Sequence, residues 1–401
     1  MLKIAYIGQK GILNPLGGGV ETHVEELSAR MAKKGYEVFL YTRPYYTPKE
    51  YQKFEEVNLI SLPSLHTKHL DAISHSFLAM LDALRRGVDI IHIHGVGPSL
   101  LSFLPRLLSP KTKVIVTAHS EDWEHQKWNF FARFMLQLGA RFAALFAHEV
   151  LTVSRRFQKY YLANFNRSVT LIPNGVVRRE NKNVKEDLIA PYNLKRGQYL
   201  LTVSRLIRHK GIHYLIEAFK QAKEKNPAWA DFKLVIVGQT FFTDSYFEFL
   251  KKLVDGRNDI IFAGAQRGEV LEQLYQNAYL YVSPSESEGL SISCLEAMSY
   301  GKAPLVSDIS ANLDLIKGDT ELGSVGFTFA NKNITDLAAK LELLWQHPEI
   351  VRQVGNKARA YVKIYYNWND IIDLLNHLYR ASVAVKDKLT LWELFLFRRT
   401  A

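Results

Sequence analysis

The sequence contains few of the features that mark secreted or membrane-embedded proteins. Its 401 residues include one cysteine, Cys294, so no disulfide can form within the chain and nothing indicates an oxidising compartment. No apolar run approaches the roughly 20 residues that cross a bilayer. Residues 1–8 read as a short buried strand and lack the long apolar core of a signal peptide. We therefore expect a cytoplasmic protein.

Sequence motifs for several common ligands are also missing. The G-x-G-x-x-G fingerprint does not follow the first apolar run, where only Gly8 and Gly11 occur, which disfavours a dinucleotide cofactor. Neither an Asp-x-Asp motif nor a carboxylate at suitable spacing accompanies His92, His94 and His119, so no metal is expected. No nucleic-acid-binding module is recognisable, so we expect no nucleic-acid partner.

The positive charge is concentrated in the first half of the chain. Residues 1–180 contain 23 Lys and Arg against 15 Asp and Glu, a net charge of +8, out of +11 for the whole sequence. Such an excess is typical either of a surface that faces an anionic partner or of a generally basic soluble protein. The sequence leaves both interpretations open.

Strand-like apolar runs alternate with helical patterns along most of the chain. In residues 21–34, Val24, Leu27 and Met31 recur at helical spacing, and Gly35 follows where the helix should stop. The strand-like runs are 2–7, 37–41, 57–62, 89–94, 114–118, 149–153 and 169–172, followed by 199–203, 232–237, 260–262, 279–282 and 303–306. This alternation predicts α/β architecture with doubly wound parallel sheets.

A charged stretch rich in Asn and Lys, residues 178–187, separates the two series and reads as a linker. We predict one domain from residues 1–180 together with about 381–401, and a second from residues 181–380. Two such domains in tandem create a cleft, and ligands bind at the carboxyl ends of the strands. The apolar tail 389–399, which ends in Arg398-Arg399, is interpreted as packing on the first domain or touching a membrane.

Candidate site residues in the first half are glycines and histidines. Gly17-Gly18-Gly19 precedes Glu21 and opens the first predicted helix, where backbone can approach a ligand closely. His94 and His119 each end a predicted strand, which places them at the cleft edge of the sheet. Histidines at such positions are more often packed or capping residues than catalytic ones.

The second half carries charged candidates. Arg205 and Lys210 follow its first strand and precede a helix, a favourable position for binding a diphosphate. Glu288 lies just before the predicted helix 291–300, whose start at Gly289, Leu290 and Ser291 offers N–H groups to an anion. Glu296 lies inside that helix among apolar residues, so a buried carboxylate with partners is expected.

Together these residues resemble the family 4 glycosyltransferases of GT-B fold, over about 370 residues. The matching segments are Gly18-Gly-Val-Glu21, Thr152-Val-Ser-Arg155, Ile172-Pro-Asn-Gly-Val176, Val203-Ser-Arg205 with Lys210-Gly211, and Glu288 with Glu296-Ala-Met298. Residues 119–128 look like those of a subgroup of bacterial surface-polysaccharide transferases. One departure is Ser120, where the family commonly has glycine.

The resemblance implies two Rossmann-like domains that face each other across a cleft, the first binding acceptor and the second nucleotide sugar. It implies a retaining, metal-independent hexosyltransferase-like enzyme without cofactors. Arg205 and Lys210 would neutralise the donor diphosphate, Glu296 would hold the ribose and Glu288 the transferred sugar. Gly18 and Gly19 would approach the phosphate, and His119 would lie beside the anomeric centre, with Glu21 and His94 on the acceptor side.

Two rival functions remain at this point. An epimerase of the same fold would isomerise a nucleotide sugar without an acceptor, and a sensor protein would bind the donor without turnover. The resemblance also indicates a saccharide or lipid-linked acceptor. Residues 85–113 combine Arg85, Arg86, Arg106, Lys111 and Lys113 with the apolar stretch 100–108, which predicts peripheral, salt-sensitive contact with an anionic membrane.

Overall fold

The computed structural model describes residues 1–13, 17–67, 70–119, 123, 130–176, 187–240 and 244–385. The chain divides into two compact units, and each contains its own sheet and core. The first comprises Met1–Asn174 with the C-terminal segment from Asn369, and the second comprises Gly175–Trp368. The predicted linker at 178–187, the residues around Ser120 and the apolar tail 389–399 lie largely or wholly outside the described residues.

The first unit is built on a mixed sheet with mostly parallel strands. Its strands are β1 (Lys3–Ile7), β2 (Glu37–Thr42), β3 (Lys53–Phe54), β4 (Val57–Ser61), β5 (Ile90–His94), β6 (Lys113–Ala118), β7 (Glu149–Thr152) and β8 (Thr170–Leu171), in the spatial order β3-β4-β2-β1-β5-β6-β7-β8. Only the β3–β4 pair is antiparallel among these strands. The helices are α1 (Gly19–Lys33), α2 (Asp71–Arg85), α3 (Phe103–Leu108), α4 (Phe130–Phe146) and α5 (Arg155–Phe165).

The second unit has a parallel sheet. Its strands are β9 (Tyr199–Val203), β10 (Lys233–Val237), β11 (Ile260–Gly264), β12 (Leu280–Ser283), β13 (Pro304–Ser307) and β14 (Phe327–Phe329), in the order β11-β10-β9-β12-β13-β14. Its helices are α6 (Ile212–Lys225), α7 (Asp244–Val254), α8 (Gly268–Asn277), α9 (Ile292–Ser299), α10 (Ser310–Ile316), α11 (Ile334–Gln346) and α12 (Pro348–Tyr365). Every predicted strand is present, with its ends shifted by a residue or two.

Strands in both sheets are buried on both faces, which explains why they read as continuous apolar runs. Ile4, Ala5, Tyr6 and Ile7 of β1 are each 0% exposed. Parallel sheets covered by helices on both sides bury successive side chains in this way. The sequence analysis missed β3 and β14, which are only two and three residues long and lie at the edges of their sheets.

The last described helix, α13 (Trp368–Ala384), corrects the predicted domain boundary. The second domain was predicted to extend to residue 380, whereas the chain returns to the first unit at Asn369. The phenol oxygen of Tyr379 lies 3.3 Å from that of Tyr6, and Tyr36 donates to Asn376 at 2.7 Å. The apolar face of α13 therefore covers the first sheet.

Each sheet contains a point where the strand order reverses. In the first unit β1 lies between β2 and β5, and in the second unit β9 lies between β10 and β12. In each sheet, the loops after the two strands that flank the reversal leave toward opposite faces of the sheet. These strands are β1 and β5 in the first unit and β9 and β12 in the second. Their divergence opens a crevice at the carboxyl ends of the strands. Within the described residues, no helix is both long and apolar enough to cross a membrane.

Candidate functional site

The charged candidates of the second unit meet at its strand-order reversal. Arg205 and Lys210 follow β9, and Glu288 follows β12, the neighbouring strand on the other side of the reversal. Because both strands are parallel, their carboxyl ends open onto the same edge of the sheet. The sequence predicted these three residues for one site, and the fold brings their loops together.

Lys210 and Glu288 form a shielded ion pair between Nζ and Oε1, with side chains 15% and 10% exposed. Arg205 is half-buried, and its guanidinium makes no ion pair with any described residue. Charge-assisted hydrogen bonds from such cations to phosphate oxygens are among the strongest polar contacts in proteins. The site therefore holds one cation already paired to a carboxylate and a second cation that is available to an anion.

The two loops that carry these residues are fixed to each other by backbone contacts. The Glu286 amide donates to the His209 carbonyl at 2.8 Å, and the Tyr214 hydroxyl donates to Glu286 at 3.1 Å. Gly211 is the N-cap of α6 with φ of +69°, and a Cβ there would lie 2.0 Å from the Pro284 carbonyl oxygen. Only glycine permits this close approach, so the position of Lys210 depends on the residue that follows it.

The start of α9 also faces this region. The predicted helix 291–300 begins at Ile292, and Ser291 is its N-cap, with its hydroxyl accepting from the Cys294 amide at 3.3 Å. Gly289 and Leu290 lead into the cap and are half-buried. The first N–H groups of a helix carry partial positive charge, which adds to the potential of the two cations.

Glu296 lies half-buried within α9 rather than in the core. The Tyr275 hydroxyl donates to its Oε2 at 2.8 Å, and the Tyr275 ring stacks on Tyr300 with centroids 5.8 Å apart. This contact fixes the carboxylate while leaving it partly accessible. The expectation of a partnered carboxylate is confirmed, and Tyr275 is a partner that sequence reasoning missed.

In the first unit, the glycine loop opens a helix as predicted. Gly18 is the N-cap of α1, and Gly19 is its first residue. Glu21 is buried, and its carboxylate accepts from the Gly18 amide at 2.7 Å and from the Lys10 amide at 3.3 Å. The contacts of Glu21 thus join the loop after β1 to the start of α1.

His94 and His119 belong to a histidine cluster at the β1–β5 reversal. His94 Nδ1 lies 3.1 Å from His119 Nε2, and the two rings stack with centroids 5.4 Å apart. His23 of α1 completes the cluster, with its ring centroid 5.6 Å from that of His94 and 5.1 Å from that of His119. The helical pattern of residues 21–34 did not indicate that the His23 side chain would contact histidines at the ends of two strands.

A buried hydrogen-bond network lies beneath this cluster. The Nδ1 atom of His92 lies 2.6 Å from the hydroxyl oxygen of Tyr379, and its Nε2 atom lies 2.7 Å from that of Thr117. The His92 and His94 ring centroids are 4.2 Å apart. Tyr379 comes from α13, so the C-terminal helix supports the sheet directly under the histidines, a contact that the sequence did not reveal.

Burial keeps these histidines neutral at physiological pH. It lowers the pKa of His92 to about 3. Burial, together with the repulsion between neighbouring histidines, holds the pKa of His94 and His23 well below the ordinary value. Neutral imidazoles accept and donate hydrogen bonds but do not neutralise a diphosphate. His23, His92 and His94 are therefore polar and uncharged, whereas the candidates of the second unit, Arg205, Lys210 and Glu288, are charged side chains.

Comparisons with known proteins agree with this division. The family described as Glycosyltransferase Family 4 matches residues 17–179, and the family described as Glycosyl transferases group 1 matches residues 184–361. The chain belongs to the family 4 glycosyltransferases of GT-B fold. It is a glycosyltransferase.

Individual relatives extend over different parts of the chain. An uncharacterized glycosyltransferase of Methanocaldococcus jannaschii is 25% identical, covering 91% of this chain and 95% of its own length. The N,N'-diacetylbacillosaminyl-diphospho-undecaprenol alpha-1,3-N-acetylgalactosaminyltransferase of Campylobacter jejuni is 29% identical over 47% of this chain and 46% of its own. The sucrose-phosphate synthase of Thermosynechococcus elongatus superposes with a TM-score of 0.79 at 21% identity, covering 96% of this chain and 100% of its own. That structural likeness supports the fold.

Proposed function

We propose that this glycosyltransferase moves a sugar from a nucleoside diphosphate sugar to a saccharide or lipid-linked acceptor in bacterial surface-polysaccharide synthesis. We further propose that it retains the anomeric configuration and needs no metal or other cofactor. The observation that carries the proposal is the Lys210–Glu288 ion pair together with the guanidinium of Arg205 on the same loop as Lys210, which forms no ion pair with any residue that the structure describes. These residues provide cations for a diphosphate and carboxylate oxygens for sugar hydroxyls.

The proposed catalysis is electrostatic. The bond between the anomeric carbon and the diphosphate oxygen breaks, and negative charge develops on the leaving diphosphate. Arg205, Lys210 and the start of α9 at Ser291 stabilise that charge, and preorganised groups of this kind supply a large share of a rate enhancement. The acceptor hydroxyl oxygen forms the new bond to the anomeric carbon on the face from which the diphosphate leaves, and the leaving phosphate accepts the hydroxyl proton. The enzyme itself then supplies neither a nucleophile nor a general base.

The remaining assignments of donor and acceptor groups rest on the resemblance to the family. We assign the ribose hydroxyls to Glu296, which Tyr275 holds in place, and the hydroxyls of the transferred sugar to Glu288. His119 is assigned to the anomeric centre, and Glu21 and His94 to the acceptor side. Gly18, Gly19, Gly289 and Leu290 contribute backbone N–H groups to the donor.

The lipid-linked acceptor is proposed from one relative. The Campylobacter jejuni transferase carries diphospho-undecaprenol in its name, and a substrate of that type resides in a membrane. We therefore propose that the enzyme is cytoplasmic and makes peripheral contact with an anionic bilayer. The contact surface predicted at residues 85–113 requires correction, because Arg106 and Lys113 are buried, 8% and 4% exposed, and cannot reach lipid headgroups.

The orientation of the helices also disfavours that surface. Arg85 ends α2 shortly before β5 begins, and Leu108 ends α3 shortly before β6 begins. These residues therefore lie at the amino edge of the first sheet, whereas His94 and His119 lie at its carboxyl edge. A membrane held at residues 85–113 would leave a lipid-linked acceptor far from the histidine cluster.

Helix α4 offers a better membrane contact. It ends at Phe146, just before β7 begins, and its 17 residues span about 25 Å, longer than the strands beside it. Its first turns therefore reach past the carboxyl edge, where Phe130, Phe131 and Phe134 are 87%, 68% and 52% exposed. Arg133 is exposed between them. Aromatic and basic side chains together favour an anionic bilayer surface.

A thermal-shift panel tests the donor proposal. Ligands that bind only the folded state raise its melting temperature, so UDP, GDP or ADP and the matching nucleotide sugar should stabilise the protein. Incubation of that sugar nucleotide without acceptor should leave it unisomerised, whereas an epimerase would isomerise it. The three relatives described above are named as transferases or a synthase, and none as an epimerase.

Vesicle sedimentation tests the membrane proposal. The protein should bind anionic vesicles at low salt and leave them at high salt, because electrostatic attraction fades within a Debye length. The combined substitution Phe130→Ser and Phe131→Ser should abolish binding, while Leu107→Ser and Leu108→Ser at the other edge should not. The proposal is wrong if the second pair of substitutions releases the protein and the first does not.

A further inference from the structure

The histidine cluster of the first unit has the composition of a transition-metal site. One ring nitrogen from each of His23, His94 and His119 lies within 4.8 Å of the other two. Three imidazoles that bind one zinc ion at 2.0–2.1 Å in tetrahedral geometry place their nitrogens about 3.3 Å apart. The His94–His119 nitrogen pair, at 3.1 Å, is close to this spacing.

The cluster is accessible from solvent on one side. His23 and His94 are buried, whereas His119 is only half-buried, which leaves a route by which an ion can enter.

We propose that His23, His94 and His119 form a binding site for a divalent transition-metal ion of the zinc class, with a fourth position open to water or an anion. Imidazole ligands favour Zn²⁺, Co²⁺, Ni²⁺ and Cu²⁺, whereas Mg²⁺ and Mn²⁺ prefer oxygen ligands. The site is therefore selective against the ions that commonly accompany diphosphates.

The ion inhibits the enzyme rather than serving its chemistry. Because the proposed function assigns His119 to the anomeric centre, an ion held there would exclude the substrate from that position. This consequence rests on the proposed function, whereas ion binding does not. Zinc inhibition would agree with turnover that survives chelators, because a chelator removes an inhibitor and not a cofactor.

Cobalt absorption of the full-length, untagged protein tests the site. Four-coordinate Co²⁺ bound by histidines absorbs visible light much more strongly than six-coordinate aqueous Co²⁺ does. We expect one equivalent of Co²⁺ to develop these bands, Zn²⁺ to displace it, and a large excess of Mg²⁺ or Mn²⁺ to leave it bound. X-ray absorption of the zinc-loaded protein should count three imidazole nitrogens.

Variants separate the proposed ligands from their neighbours. His94→Ala and His119→Gln should each lose the cobalt bands, and His119→Gln is the safer test of folding because its side chain is half-buried. The matched control is His92→Gln, since both ring nitrogens of His92 already have partners; it should retain the bands, with folding checked by circular dichroism. Absence of the bands in folded wild-type protein, or their survival in both ligand variants, would overturn the proposal.

Discussion

The two units place different kinds of side chain at equivalent positions of similar scaffolds. In the second unit, the strand-order reversal gathers Arg205, Lys210 and Glu288, and a partly shielded ion pair forms between two of them. In the first unit, the same position in the sheet gathers His94 and His119 with His23, and burial keeps His23 and His94 neutral. Charged groups suit a diphosphate whose charge changes during reaction. Neutral groups suit the positioning of an uncharged sugar hydroxyl. The comparison indicates that the strand-order reversal has different functions in the two sheets because different side chains follow the strands there.

The largest expected effect comes from removing a cation of the second unit. Arg205→Ala and Lys210→Ala should each lose about 3–4 kcal/mol of transition-state stabilisation, a decrease of a hundredfold or more in kcat/KM. Steady-state kinetics with the donor identified by thermal shift would measure this loss.

Arg208→Ala is the matched control for these variants. Arg208 lies on the same turn but is exposed, so it should retain most of the activity. If both Arg205→Ala and Lys210→Ala keep more than half of wild-type turnover, the donor site is assigned incorrectly.

The second effect is a difference in acid sensitivity between the units. The pKa of His92 is lowered to about 3 and that of His75 to about 4, both chiefly by burial. An unfolded histidine has a pKa near 6.5, so below that pH the unfolded state binds more protons and native stability falls. The loss starts near pH 6.5, continues down to the folded pKa, and amounts to about 1.4 kcal/mol per pH unit for each such histidine.

Hydrogen exchange on the full chain, corrected for intrinsic rates, would resolve this difference. Between pH 7 and pH 5, β5 and β6 should lose more protection than β9 and β12. In the second unit, burial lowers the pKa of His213 to about 4, which should make a smaller contribution than the several buried histidines of the first. Equal losses in the two units would contradict the proposed difference.

A smaller effect is expected at the contact between α13 and the first sheet. Tyr379→Phe removes the hydroxyl that lies 2.6 Å from His92 Nδ1 and keeps the ring. The free energy of unfolding should fall by about 1–2 kcal/mol, the cost of leaving a buried polar atom unpaired. Urea denaturation measures the change, and Tyr365→Phe, at an exposed tyrosine of the other unit, is the control. A loss no larger than that of the control would show that the buried network contributes little.

The smallest expected effect is that of a chelator. Excess EDTA should leave turnover unchanged, because Arg205, Lys210 and the start of α9 supply the positive potential that a metal would provide. Complete loss of activity, restored by Mg²⁺ or Mn²⁺, would refute the metal-free mechanism.

Much of the fold was predictable because its strands are buried on both faces. Continuous apolar runs located the predicted strands of both sheets, and the resemblance to the family assigned Arg205, Lys210 and Glu288 to one donor site. The sequence did not reveal contacts that depend on tertiary packing. Lys210 meets Glu288 from 78 residues away, and Tyr275 reaches Glu296 from a different helix.

Side-chain exposure was less predictable than the strands. Arg106 and Lys113 appear in the sequence as members of a basic cluster, yet both are buried, because α3 packs beside β6 and Lys113 lies within that strand. His23 looked like an ordinary position on an amphipathic helix. Periodicity indicates which face of an element is covered, but it does not identify the side chains of other elements that meet there.

Calorimetric titration of the nucleoside diphosphate tests the central claim most directly, namely that the second unit binds the diphosphate and the histidines of the first do not. The dissociation constant would be measured for wild type, Arg205→Ala and His119→Ala under the same salt conditions. We predict that Arg205→Ala weakens binding at least tenfold, whereas His119→Ala leaves it within about twofold of wild type, since tenfold corresponds to 1.4 kcal/mol. Unchanged affinity in Arg205→Ala together with a large loss in His119→Ala would contradict the account.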